Sequence, residues 1–159
     1  MSMIYLEMIV AVIFKRVKYR DVFRKLEEDF KNHWEELGCA GGPKELDIDP
    51  VTYLALEEAG VLACFTANKD DEIIGYGCFI QQRNLHHKTI VTATSDCFYI
   101  KPEYRKGTLG YRFLKYMQDE LYRCGIDLVQ MVMNINKDLD KLLTRLGYTK
   151  CDIIYVRGK

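Results

Sequence analysis

Asp96 stands in an apolar run, Thr89 to Ile100, that leads straight into the basic, glycine-containing segment Lys101-Pro102-Glu103-Tyr104-Arg105-Lys106-Gly107-Thr108-Leu109-Gly110. The run reads as a strand, Pro102 closes it, and helical periodicity begins at Leu109. At such a junction the backbone N–H groups of the loop and of the first helical turn have no intrahelical acceptors. They converge on an anion, and the helix dipole favours its negative charge. The segment is therefore a seat for a phosphate, and the strand before it can hold the rest of a phosphate-bearing ligand by its edge. Asp96 offers a second chemistry, that of a proton acceptor. Along a regular strand, residues 92, 94, 96, 98 and 100 share one face. Among Thr94, Cys97 and Phe98, a carboxylate at 96 could be desolvated enough to act as a base. The other reading of Asp96 is a structural cap or ion-pair partner.

The elements that must position these groups follow from the pattern of apolar residues. Residues 4 to 14 suit a strand. From Tyr19 to Leu37, Val22, Phe23, Leu26, Phe30, His33, Trp34 and Leu37 form one apolar face of a long helix that Gly38 stops. Asp49-Pro50 starts a short helix, with Asp as N-cap and Pro at the first position, and Gly60 ends it. Val61–Thr66 and Ile73–Ile80 flank the turn KDDE as an antiparallel hairpin, and Thr89–Ile100 is the third strand of that series. Helix Leu109–Arg123 buries Leu109, Phe113, Tyr116, Met117 and Leu121. A strand Asp127–Met133, a helix Lys137–Leu146 and a last strand Cys151–Val156 complete the order β-α-α-β-β-β-α-β-α-β. The expected architecture is α/β, a mixed sheet with helices on both faces in one domain over residues 1–159, with no repeat or linker that would divide it.

Composition narrows the class. Lys plus Arg and Asp plus Glu both total 23, so the net charge calls for neither nucleic acid nor an anionic membrane as partner. Lys15, Arg16, Lys18 and Arg20 form a local basic cluster, too small to shift that balance. The apolar run MIYLEMIVAVIF contains Glu7, has its basic residues after it, and is shorter than the ~20 residues of a membrane span. It reads as a buried strand and not as an anchor or signal. The six cysteines are far apart, without a C-x-x-C pair, and read as buried free thiols of a cytoplasmic protein. His86-His87 in an extended segment would point opposite ways, so that piece is read as a polar loop and no metal is expected.

The element order and the segment at 100–110 together resemble the GNAT superfamily of acyl-CoA-dependent N-acyltransferases, whose signature here is V-x-P-x-x-R-x-x-G-x-G/A. Ile100, Pro102, Arg105 and Gly110 match it, Thr108 replaces the middle glycine, and Gly107 lies one residue earlier. Asn136 and Gly147-Tyr148 match the family's N-(x)10-G-F/Y pattern. In finer texture HWEEL, DPVTYLALEEAGVL and IIGYGCF are similar to small acetyltransferase-like proteins encoded in tailed-phage genomes.

The resemblance implies a GNAT-like fold, acetyl-CoA as cosubstrate and transfer of its acetyl group to a primary amine of a small molecule or protein. Backbone amides of Lys106, Gly107, Thr108, Leu109 and Gly110 would cradle the pyrophosphate, with Arg105 adding charge. The backbone of Phe98, Tyr99 and Ile100 would pair with the pantetheine amides, between strands that splay apart in the family, and Asn136 would contact the pantetheine or adenosine side. His33 and Glu36 would border the acceptor pocket, where carboxylates suit a cationic amine, and Tyr76 would face either acceptor or core. Asp96 would be the base. Where the family often places a tyrosine acid this chain has Leu143. Either another hydroxyl (Tyr99, Tyr104, Tyr148 or Thr144) serves, or the thiolate leaves unaided, or the domain is a non-catalytic acyl-CoA-binding or partner-binding one. The resemblance also makes a homodimer reasonable, through the last strand or the hairpin.

Overall fold

The computed structural model describes residues 11–38, 43–134 and 138–157. Its centre is a five-stranded sheet in the order β1-β2-β3-β4-β5, formed by Ile13–Val17, Leu62–Lys69, Glu72–Arg83, Val91–Ile100 and Leu128–Gln130. The first four strands pair antiparallel and β5 joins β4 parallel. The β2–β3 turn is shorter than KDDE: only Asp70 and Asp71 lie outside the strands, with Asp70 at φ +54° in the left-handed region that Asp tolerates.

Helices cover both faces. On one, α4 (Leu109–Arg123) buries Leu109, Phe113, Leu114, Met117 and Leu121 against Phe65, Ile74, Phe79 and Ala93, as its apolar spacing requires. Helix α5 (Asp140–Arg145) adds Leu142 and Leu143 to the same cluster. Gly77 marks how tightly α4 packs, because a Cβ there would stand 2.7 Å from the Met117 Sδ. The opposite face carries α1 (Tyr19–Val22), α2 (Glu27–Leu37) and α3 (Pro50–Glu58) over two smaller clusters, around Tyr19 with Cys64 and Cys78 and around Leu26 with Tyr76 and Tyr99. Asp49 caps α3 as its sequence implies, its Oδ1 accepting from the Thr52 amide. Capping holds the Asp49 carboxyl below its usual range.

The structure corrects four expectations. The helix read as Tyr19–Leu37 is interrupted by a 3-10 turn at Phe23–Leu26, which brings Leu26 onto the sheet beside Tyr76 and Tyr99 while Tyr19 packs in the neighbouring cluster. The strand expected at Cys151–Val156 is not formed. Ile153 and Tyr155 there are 80% and 90% exposed, because β5 is only three residues long and leaves little edge to continue the sheet. Cys124 and Cys151 are exposed, whereas Cys64 and Cys78 are buried. The fourth correction is in β4, where the pairs Cys78↔Cys97 and Phe79↔Ser95 leave Asp96 as an extra residue. This bulge breaks the expected alternation: Val91 and Ala93 lie with Phe98 and Ile100 in the α4-side cluster, while Cys97 and Tyr99 face the other helices. Asn136 and most of the expected strand at 4–14 lie outside the described residues.

Candidate active site

Strands β4 and β5 share only the pairs Thr92↔Leu128, Ala93↔Val129 and Thr94↔Gln130. Beyond them β4 runs on to Ile100 while the other chain departs. Ser95 pins the fork, its Oγ accepting from the Val132 amide at 2.8 Å. Farther out, the Asn134 Nδ2 donates to the Leu37 carbonyl at the end of α2 at 3.1 Å. The wedge so formed is part of a cavity of about 710 Å³, walled on one side by Phe98, Tyr99 and Ile100 and on the other by Met131, Val132, Met133 and Asn134. Gly107 and Gly110 also line it, placing the start of α4 at its wall.

The loop has the form an anion seat needs. Gly107 takes φ +70°, and the space a Cβ would enter there is empty, so glycine answers a backbone demand and not a crowding one. Thr108 then stands at the N-cap without a side-chain capping bond, and the first intrahelical acceptor in use is its carbonyl, which receives the Arg112 amide. Thr108 in place of a glycine therefore leaves the first-turn amides open. Lys106 and Thr108 are exposed, and Leu109 is buried in the core, so its backbone alone can serve a ligand. Arg105 is already engaged: it donates to the Ile100 carbonyl, forms a 2.8 Å ion pair with Glu36 and lies over the Tyr99 ring. Part of the charge expected for a phosphate is thus shared with Glu36, and Glu36 is turned to Arg105 within the same cavity wall.

Asp96 lines the cavity, projected by the bulge. It is not enclosed by Thr94, Cys97 and Phe98; its side chain is exposed and its Oδ2 accepts a 2.5 Å hydrogen bond from the Tyr53 hydroxyl. Burial, reinforced by this bond, raises the Tyr53 phenol above its ordinary range, so Tyr53 holds its proton at neutral pH. Tyr53 is not among the residues that the sequence singles out. The Asp49-Pro50 start fixes the rotation of α3, and Tyr53 stacks on Tyr19 at 4.8 Å, which sets its ring. No motif marks it.

His33 and Tyr76, from α2 and β3, meet at 2.8 Å between Nδ1 and the hydroxyl, and both line the cavity with Tyr99. Tyr76 therefore faces the cavity as well as the core, and burial raises its phenol. Of the hydroxyls considered in place of the missing acid, only Tyr99 lines the cavity. Tyr104 donates to Glu72, and Tyr148 packs on the α4-side core beside Leu143. Cys78 and Cys97 complete the floor, with the Cys78 thiol held well above its usual range by contact with the Cys64 and Cys97 thiols and by burial. Among the described residues no group of His, Cys, Asp and Glu side chains is arranged to hold a metal, and no helix is long and apolar enough to cross a membrane.

A mixed sheet whose fourth and fifth strands part over a glycine-turned helix start is the architecture of acyl-CoA transferases of the GNAT type. The family model of the acetyltransferase (GNAT) family matches residues 21–148, and the chain belongs to that family. A search of curated proteins gave no match. Among solved structures the chain is similar to an aminoglycoside acetyltransferase from an uncultured soil metagenomic sample, in complex with sisomicin, at 14% identity and a TM-score of 0.69 over 93% of this chain and 94% of that one. It is similar to a predicted acetyltransferase of Clostridium acetobutylicum with acetyl-CoA, at 14% identity and a TM-score of 0.70 over 93% and 96% of the two chains. A ribosomal-protein-alanine N-acetyltransferase from Brucella melitensis has 14% identity and a TM-score of 0.67 over 94% and 99%. At these identities the likeness establishes the fold.

Proposed function

We propose that the protein is an N-acetyltransferase that moves the acetyl group of acetyl-CoA to a primary amine by direct attack. The observation that carries this reading is the fork between β4 and β5, which opens in one cavity onto both the first-turn amides of α4 and the Asp96–Tyr53 pair. The backbone edge of Phe98 to Ile100, which β5 does not pair, would hold the amide-bearing arm of the cosubstrate, and the amides from Lys106 to Gly110 its phosphates. Acetyl-CoA supplies an electrophilic thioester carbonyl.

Asp96 takes the proton that the acceptor's ammonium must lose before its nitrogen can attack, directly or through a water. Tyr53 donates to the Asp96 carboxylate and orients it. The neutral amine would then form the new C–N bond at the thioester carbonyl, the C–S bond would break, and the coenzyme would leave as a thiolate that takes its proton from solvent, with no acid required at Leu143. Binding of acetyl-CoA by calorimetry tests the reading first. Absence of binding near millimolar cosubstrate, which corresponds to an interaction weaker than about 4 kcal/mol, would end it. A homodimer belongs to the proposal too, with the exposed apolar tail around Ile153 to Val156 as its contact surface.

A further inference from the structure

The half of the cavity next to α1, α2 and α3 is built largely from aromatic faces, and the Tyr53 and Tyr76 hydroxyls are engaged within that wall. On one side Tyr19 and Tyr53 stack at 4.8 Å and 14°, and the Tyr53 hydroxyl is committed to Asp96. On the other, His33, Tyr76 and Tyr99 sit ring against ring at 4.9 to 5.7 Å, with the Tyr76 hydroxyl on the His33 Nδ1. Cys78 and Cys97 lie between them on the floor, and Leu46 and Ile48 close the side before α3. The acidic side chains lining the cavity among the described residues are Glu36 and Asp96, and Glu36 is ion-paired with Arg105.

Such a chamber has one carboxylate without a basic partner and walls that offer π-faces and methyl groups. A ligand rich in hydroxyls would find few polar partners on these walls, and a polycation would find one anionic position. A single amine on a flat apolar body matches such walls: the body contacts ring faces, and the amine meets the Asp96 carboxylate. We infer that the acceptor is an apolar monoamine, an aryl- or alkyl-substituted primary amine, and not a polyhydroxylated or polycationic one. This inference rests on the acetyltransferase reading above and adds the acceptor class to it.

The experiment presents the full chain and acetyl-CoA with phenethylamine, ethylamine, spermidine and kanamycin, and follows acetylated product by mass. Burying the phenyl body should raise kcat/KM for phenethylamine over ethylamine by ~30-fold or more, and the two polycations should fall below phenethylamine by at least as much. Ile48→Glu, which adds a carboxylate to a partly exposed loop wall, should narrow the gap between phenethylamine and spermidine by ~10-fold without changing acetyl-CoA affinity. Preference for spermidine or kanamycin, equal use of ethylamine and phenethylamine, or cosubstrate binding with phenethylamine left unmodified would overturn the acceptor class while leaving the cosubstrate site standing. Failure to bind acetyl-CoA would overturn both.

Discussion

Two glycines in the proposed anion seat are predicted to respond differently to the same methyl group, one in stability and the other in binding. Gly107 is at φ +70° with open space around a Cβ, so Gly107→Ala meets no neighbour but forces an L-residue into the left-handed region, at a cost of about 1–2 kcal/mol. For a chain of this size that lowers Tm by roughly 2–8 °C. Gly110 lies in the first turn of α4, and its added Cβ would stand 3.8 Å from both the Ile100 Cδ1 and the Leu142 Cδ2, ordinary contact distances. Gly110→Ala therefore gains helix propensity, up to about 1 kcal/mol, and Tm should rise or hold. Its methyl nevertheless occupies the cavity wall where the phosphates would approach. Losing one amide–phosphate hydrogen bond of about 1.5–3 kcal/mol weakens the acetyl-CoA Kd by roughly 10- to 150-fold. Thermal denaturation and calorimetric titration of the two variants separate the effects. A stable Gly110→Ala protein that binds acetyl-CoA like the wild type would refute the placement of the phosphates on this helix start.

Other perturbations address the rest of the site. Asp96→Asn should lower kcat by ~10²- to 10⁴-fold with little change in acetyl-CoA affinity, and unchanged turnover would remove Asp96 from the mechanism. Glu36→Gln should release Arg105 toward the phosphates, tightening acetyl-CoA binding and steepening its salt dependence, while the loss of a half-exposed ion pair changes stability by no more than about 1 kcal/mol. Burial raises the Tyr19 phenol to about 12 from its ordinary 10. The folded state thus keeps this proton longer than the unfolded chain, and the associated stability is complete below pH 10 and lost as pH rises through 12. Urea midpoints for Tyr19→Phe should fall less steeply than wild type across that window, and parallel slopes would show that Tyr19 does not titrate there.

Much of the fold was legible because its signals are local. Gly38, Gly60, Gly125 and Gly147 end helices at positive φ, Asp49-Pro50 starts one, and α4 buries Leu109, Phe113, Met117 and Leu121 as its spacing implies, with Leu114 buried in addition and Tyr116 half-buried. The strand-loop-helix junction proposed to seat the phosphates was legible for the same reason, as a contiguous pattern. Asp96 could be picked out as a candidate, but the reason it faces the cavity could not. A bulge is set by the pairing of two strands, Cys78 with Cys97 and Phe79 with Ser95, and a count along one strand misses it. Tyr53 was invisible because its proposed role depends on where α3 packs, against α1 and β2, so that its hydroxyl meets Asp96, a tertiary relation without a spacing. The last strand was misread because Cys151–Val156 has strand-forming residues, while formation of a strand requires an adjoining edge that β5 is too short to present.

The bulge at Asp96 also divides β4 into two stretches under different selection. Before it, Val91 and Ala93 point at α4 and answer only to packing; after it, the same parity of position belongs to the cavity face, with Cys97 and Tyr99. A substitution scan of the strand should therefore show its pattern of tolerance shift phase by one residue at position 96. Loss of that single residue would restore a regular strand and remove the carboxylate from the cavity wall, leaving a protein that keeps its core without the proposed base.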